Sequence, residues 1–125
     1  MDKHLNGYVK FDHRPNVGIK TLSPTHAHYS PDYDGGMTYH QGPEWVWPKP
    51  HFLKSLLRTS VQAPAKRVRC EIRNYFRKIE DSRFCSLVEL NNAGERPCAR
   101  SCESQCWSIA SLADLIEFFA NEYMS

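Results

Sequence analysis

The order of apolar and polar residues changes character at Trp45. Beyond it, apolar positions recur with helical spacing; before it they do not. Trp45, Val46, Phe52, Leu53, Leu56 and Leu57 suit a helix, provided that Pro48 and Pro50 lie in or before its first turn, where a missing N–H is tolerated. The pattern predicts a helix over about 50–58, or one starting nearer Glu44 with a kink. A second helix is predicted over 65–81, where Val68, Ile72, Tyr75, Phe76 and Ile79 fall at i, i+4, i+7, i+8 and i+11. That is one apolar stripe against a basic outer face. A loop follows over 82–103, carrying Asn91-Asn92, Gly94 and Pro97, and a third helix is predicted over about 104–121. Ile109, Leu112, Ala113, Ile116, Phe119 and Ala120 form its main stripe; Trp107, Ala110, Leu115 and Phe118 add a second apolar flank. A helix apolar on most of its circumference wants burial on two sides.

Residues 1–44 hold much punctuation (Pro15, Gly18, Pro24, Pro31, Gly35, Gly36, Gly42, Pro43) and little periodicity. Inside a compact domain so long a stretch is a functional loop, or a segment without its normal packing partners. The pattern as a whole reads as a piece of a larger all-helical body.

Composition narrows the function classes. In 125 residues, 16 Lys and Arg nearly balance 14 Asp and Glu, a net charge of +2. That balance gives no electrostatic reason to expect nucleic acid or an anionic membrane as partner, and Lys66 to Arg69 reads as a solvated helix face. No apolar run is long enough for a membrane span, and Met1 to Asn6 lacks the apolar run of a secretory signal. Five cysteines and no signal lead to the expectation of a reducing, cytoplasmic setting.

Candidate chemistry concentrates in two segments. Thr38 to Pro48 packs aromatic rings, an imidazole, a carboxamide and a carboxylate around Gly42-Pro43. Sugars suit this mixture: their C–H faces stack on Trp or Tyr, and their hydroxyls bond Gln and Glu. The same residues also fit an ordinary helix start with Trp45 and Trp47 in the core. In the second segment, Leu87 to Asn92, Glu89 stands between apolar neighbours, a setting for a base in a dry pocket or a plain surface glutamate. Glu103, near the third helix, also reads as a helix-start acid. Cys98, Cys102 and Cys106 are evenly spaced, but a structural zinc site needs a fourth ligand and usually two separated pairs. The six histidines are scattered. No metal or cofactor is expected.

Tyr39-His40-Gln41-Gly42-Pro43-Glu44-Trp45-Val46-Trp47-Pro48 resembles the signature of the carboxyl-terminal glucosidase domain of eukaryotic glycogen debranching enzymes. So do Gly18-Ile19-Lys20-Thr21-Leu22-Ser23-Pro24 upstream, Tyr29 to Asp34 between, and Ser101-Cys102-Glu103-Ser104-Gln105-Cys106-Trp107-Ser108-Ile109-Ala110 downstream. The resemblance covers most of 17–119, leaves 1–16 unassigned, and between 59 and 84 extends only to helical character. It implies an all-α fold, the last few helices of an (α/α)6 toroid with long loops, completed by the remainder of that toroid. The implied activity is inverting hydrolysis of α-1,6-linked glucose at branch points of glycogen or limit dextrin.

The family's Leu-Pro-Glu-Leu falls on Leu87-Val88-Glu89-Leu90, which implies that Glu89 is the general base. Tyr39, His40, Gln41, Glu44, Trp45 and Trp107 then shape the glucose pocket. Val88 replaces the family proline and Cys106 the family alanine. The family's general acid lies on an earlier helix, of which Met1-Asp2-Lys3 spells only part. One carboxylate cannot both protonate the leaving oxygen and activate water in a single inverting step. The chain by itself is therefore expected to be inactive, or to be a carbohydrate-binding remnant.

Overall fold

The computed structural model describes residues 16–59 and 65–124. Of the unassigned segment 1–16, residues 1–15, with Met1-Asp2-Lys3, lie outside the described residues. Three helices follow the predicted stripes. Helix α1 (Pro48–Thr59) begins at its first proline, because first-turn N–H groups have no acceptor within the helix and Pro48 and Pro50 forfeit no bond there. It buries Leu53 and Leu57. Helix α2 (Ala65–Asp81) has the expected bounds and buries Val68 and Tyr75, with Ile72 and Ile79 partly covered. Phe76, at the rim of that stripe, is 48% exposed. Helix α3 (Cys106–Tyr123) starts later than the sequence suggests. Gln105 is still extended (φ −115°, ψ 122°) and donates its N–H to the Leu87 carbonyl at 2.9 Å rather than entering the helix.

Helix α3 packs chiefly on α1. Ser108, Ser111, Leu112, Leu115 and Phe119 form its buried stripe. Burial on two sides is not what the described residues show: Trp107, Ala110 and Ala113 are exposed, and Phe118 lies under the Lys54 and Arg58 cations, 5.4 and 4.9 Å from its ring centre. The shared core joins Val17, Val46, Leu53, Val68, Tyr75 and Leu115. Tyr75 donates its hydroxyl to the Val17 carbonyl at 2.8 Å.

The described residues are mostly helical, as expected, but they add a small sheet that an all-α reading does not contain. Three two-residue strands, β1 (Ile19–Lys20), β2 (Glu44–Trp45) and β3 (Leu90–Asn91), form an antiparallel sheet in the order β1-β2-β3. Ile19 pairs with Trp45, and Trp45 in turn with Leu90. Two residues are too short for an alternating pattern to register, and each partner lies far away along the chain. No helix among the described residues is long and apolar enough to cross a membrane.

Residues 16–44 are a tied loop. Ser30 N–H bonds the Gln41 carbonyl at 2.7 Å, and Gly42 N–H bonds the Thr21 hydroxyl at 3.0 Å. Gly42 has φ +145°, and a Cβ there would collide with the Ser30 carbonyl and the Tyr29 ring. Only glycine suits both constraints.

Candidate active site

The site is built where the loop before β2 meets the loop before α3. A 3-10 turn, Gly36–His40, presents Tyr39 and His40 towards Trp45. The Tyr39 ring lies 4.7 Å from Trp45, edge to face, and 5.0 Å from Tyr33. His40 stacks on Trp45 at 5.2 Å with 13° between planes. Trp45 itself is 7% exposed, and its indole N–H bonds the Tyr39 carbonyl at 3.1 Å. It is a core residue that also backs the Tyr39 and His40 rings.

Glu89 enters from the other side. Its N–H bonds the Cys102 carbonyl at 2.9 Å and its carbonyl accepts from Val46 N–H at 3.1 Å. The Ser108 hydroxyl bonds the Val88 carbonyl at 2.8 Å, and Leu90 N–H bonds the Ser101 hydroxyl at 3.1 Å. The Glu89 backbone is thus held by β2, by the 101–102 turn and, through Val88, by the first turn of α3. Its carboxylate accepts a hydrogen bond from the Tyr39 phenol at Oε1. Burial, reinforced by that bond and by the negative charge of Glu89, pushes the Tyr39 phenol up to about 12. Tyr39 is therefore a protonated donor at neutral pH. The structure gives Oε2 of Glu89 no protein partner among the described residues.

The other sequence candidates divide. Gln41 closes the 3-10 turn, its N–H bonded to the Thr38 carbonyl at 3.0 Å, and lies beside the cluster in sequence and half-buried. Trp107 stacks face to face on Trp47 at 4.2 Å and 14°, a second aromatic platform that is 53% exposed. Glu44 is turned elsewhere. It is 1% exposed, and its two oxygens accept the N–H groups of Gly94 and Glu95, each at 3.0 Å. Its position is structural: it holds the turn in which Glu95 adopts φ +59°.

Sequence reasoning gave Tyr33 no role of its own and left Trp47 between pocket wall and core. Both lie within the aromatic-rich segments, and only their ring contacts single them out. The cysteines diverge, the Cys98 thiol towards the Tyr33 carbonyl and that of Cys102 towards the Ser104 carbonyl. Among the described residues no group of three His, Cys, Asp or Glu side chains is placed to hold a metal ion. A cavity of about 300 Å³ lies beyond Val88, lined by Lys78, Arg83, Phe84, Glu95 and Glu103, and contains none of the predicted site residues.

The arrangement joins a half-buried carboxylate to a wall of rings, the pairing that sugar chemistry needs. A family model described as amylo-alpha-1,6-glucosidase matches residues 8–114. The glycogen debranching enzyme of Saccharomyces cerevisiae is 32% identical over 128 residues, covering 82% of this chain and 8% of that protein. The chain thus spans about a twelfth of the curated relative's length, and it belongs to the amylo-alpha-1,6-glucosidase family.

Proposed function

We propose that this member of the amylo-alpha-1,6-glucosidase family carries the base side of an inverting glucosidase site, within a larger glycogen-debranching enzyme whose substrate is glycogen or limit dextrin. Glu89 is the general base. The observation that carries this reading is the state of its carboxylate: one oxygen bonded to Tyr39, the other without a partner among the described residues, beside stacked rings. The family match supports the substrate class.

In an inverting step, two carboxyl groups stand roughly 6.5–9.5 Å apart, and the base removes a proton from water as that water attacks the anomeric carbon. Glu89 takes that proton at its unbonded oxygen. The rings of Tyr39, His40 and Trp45 border the glucose, and Gln41 bonds its hydroxyls. Trp107, exposed on its Trp47 platform, stacks on a sugar ring beside them. The acid that protonates the leaving oxygen comes from another part of the enzyme. Helices α1 to α3 belong to an (α/α)6 toroid whose remaining helices cover the exposed Phe76 and Phe84.

The purified 125-residue chain is expected to release no glucose from a phosphorylase limit dextrin, yet to bind the glucan. Glucose release by this chain would overturn the division of the site. The exposed Trp107 favours a second reading, a carbohydrate-binding remnant whose affinity owes nothing to Glu89. Glucan affinity that is unchanged in Glu89→Gln and lost in Trp107→Ala decides for the remnant; loss in both decides for the active-site reading.

A further inference from the structure

We propose that Tyr39 is the positioning residue of the base: its phenol holds Oε1 of Glu89 and so assigns Oε2 to the water. The inference rests on the reading of Glu89 as general base and goes beyond a pocket-wall role for Tyr39.

Three torsions separate a glutamate carboxylate plane from its backbone, and none is fixed by anchoring the main chain. The Glu89 main chain is anchored on both sides, to Cys102 and to Val46. Among the described residues, the Tyr39 phenol is the one group that holds its side chain by a hydrogen bond. The donor is in turn immobilised. Tyr33, His40 and Trp45 surround the Tyr39 ring at 5.0, 4.8 and 4.7 Å, and the Tyr39 carbonyl is held by the Trp45 indole at 3.1 Å. A rigid ring carrying one donor can fix the plane of a carboxylate, because a bonded oxygen and a fixed Cα leave little freedom for the rest. The donor keeps its proton at neutral pH, so the bond persists while Glu89 is ionised.

This changes what Tyr39 offers a sugar. Its hydroxyl is engaged, and only its ring face remains for stacking. It also explains how one segment can serve both purposes: the 3-10 turn that presents His40 to Trp45 delivers the phenol to Glu89.

The test uses the full 125-residue chain with its glutamate carboxyl carbons labelled with ¹³C. A hydrogen bond from an exchangeable phenol gives the Glu89 carboxyl carbon an H/D isotope shift. That shift is expected in the wild type and in Tyr33→Phe, and absent in Tyr39→Phe. The second readout is affinity for 1-deoxynojirimycin, a cationic glucose mimic that pairs with the ionised base. Tyr39→Phe keeps the ring and is expected to weaken binding roughly tenfold, the scale of one charge-assisted hydrogen bond, while Tyr33→Phe leaves it unchanged. Retained helical circular dichroism separates these effects from unfolding. An isotope shift that survives Tyr39→Phe, or iminosugar affinity lost in Glu89→Gln but unaltered in Tyr39→Phe, overturns the positioning role. Affinity equal in Glu89→Gln and wild type overturns it by a different route, through the base assignment, and leaves the isotope shift to report the bond alone.

Discussion

Glu44 and Glu89 sit on adjoining segments of one small sheet, the first in β2 and the second just before β3. Glu44 is 1% exposed, its two oxygens filled by the Gly94 and Glu95 amides, with Lys20 at 3.9 Å. Glu89 is half-buried, and a single phenol occupies one oxygen. A carboxylate whose acceptor sites are spent on backbone amides stabilises the fold and has nothing left for substrate. One that is oriented but unsaturated still has a lone pair for water.

The largest effect comes from breaking the saturated side. Glu44→Ala removes a buried carboxylate and leaves the part-buried Gly94 and Glu95 amides without their acceptor, and hydrogen bonds to a charged group contribute about 1.5–3 kcal/mol each. A loss of about 4 kcal/mol in urea unfolding is expected, and a loss below about 1 kcal/mol would contradict a structural role for Glu44. Gly42→Ala comes next, at about 3 kcal/mol, since it combines a left-handed backbone with a steric clash. Because Gly42 follows the 3-10 turn, the Tyr33–Tyr39–Trp45 ring contacts should loosen with it, visible in near-ultraviolet circular dichroism.

Glu89→Gln should leave stability within about 0.5 kcal/mol of wild type. Its effect falls on Tyr39 instead. The phenol titration, followed by ultraviolet absorbance, should drop from about 12 part of the way towards 10.0, because the share due to burial remains. An unchanged Tyr39 titration would remove the contact on which the comparison rests.

The smallest effect belongs to an exposed pair. Lys54 donates to both oxygens of Asp114, at 2.7 and 2.8 Å, and holds that carboxyl below its ordinary 3.8. A depressed carboxyl stabilises the fold above its unfolded value, and the stabilisation fades as pH falls through the folded value. Asp114 is 44% exposed, so solvent screens the pair to about 0.5 kcal/mol or less. The difference between wild type and Lys54→Met should therefore be small at neutral pH and vanish well below pH 3.8.

Much of this molecule was legible before any coordinate. Val68, Ile72, Tyr75 and Ile79 marked α2 to the residue, because a long amphipathic helix writes its period into the chain. The order of motifs pointed to the family that the comparison found. The sequence sets Glu44 beside Trp45; the groups that its carboxylate bonds, Gly94 and Glu95, are 50 and 51 residues away.

The sequence by itself determined three helices, their apolar faces and the crowding of rings and polar groups between Tyr39 and Trp47, since these depend on local period and composition. Only the tertiary structure decided that two-residue strands join residues 19, 45 and 90, and that Trp107 pairs with Trp47. It alone decided which of two glutamates meets a tyrosine and which is consumed by a turn. Those outcomes depend on contacts between distant segments, where one bonded oxygen separates the carboxylate filled by two backbone amides from the one held by a single phenol, and no periodicity records it.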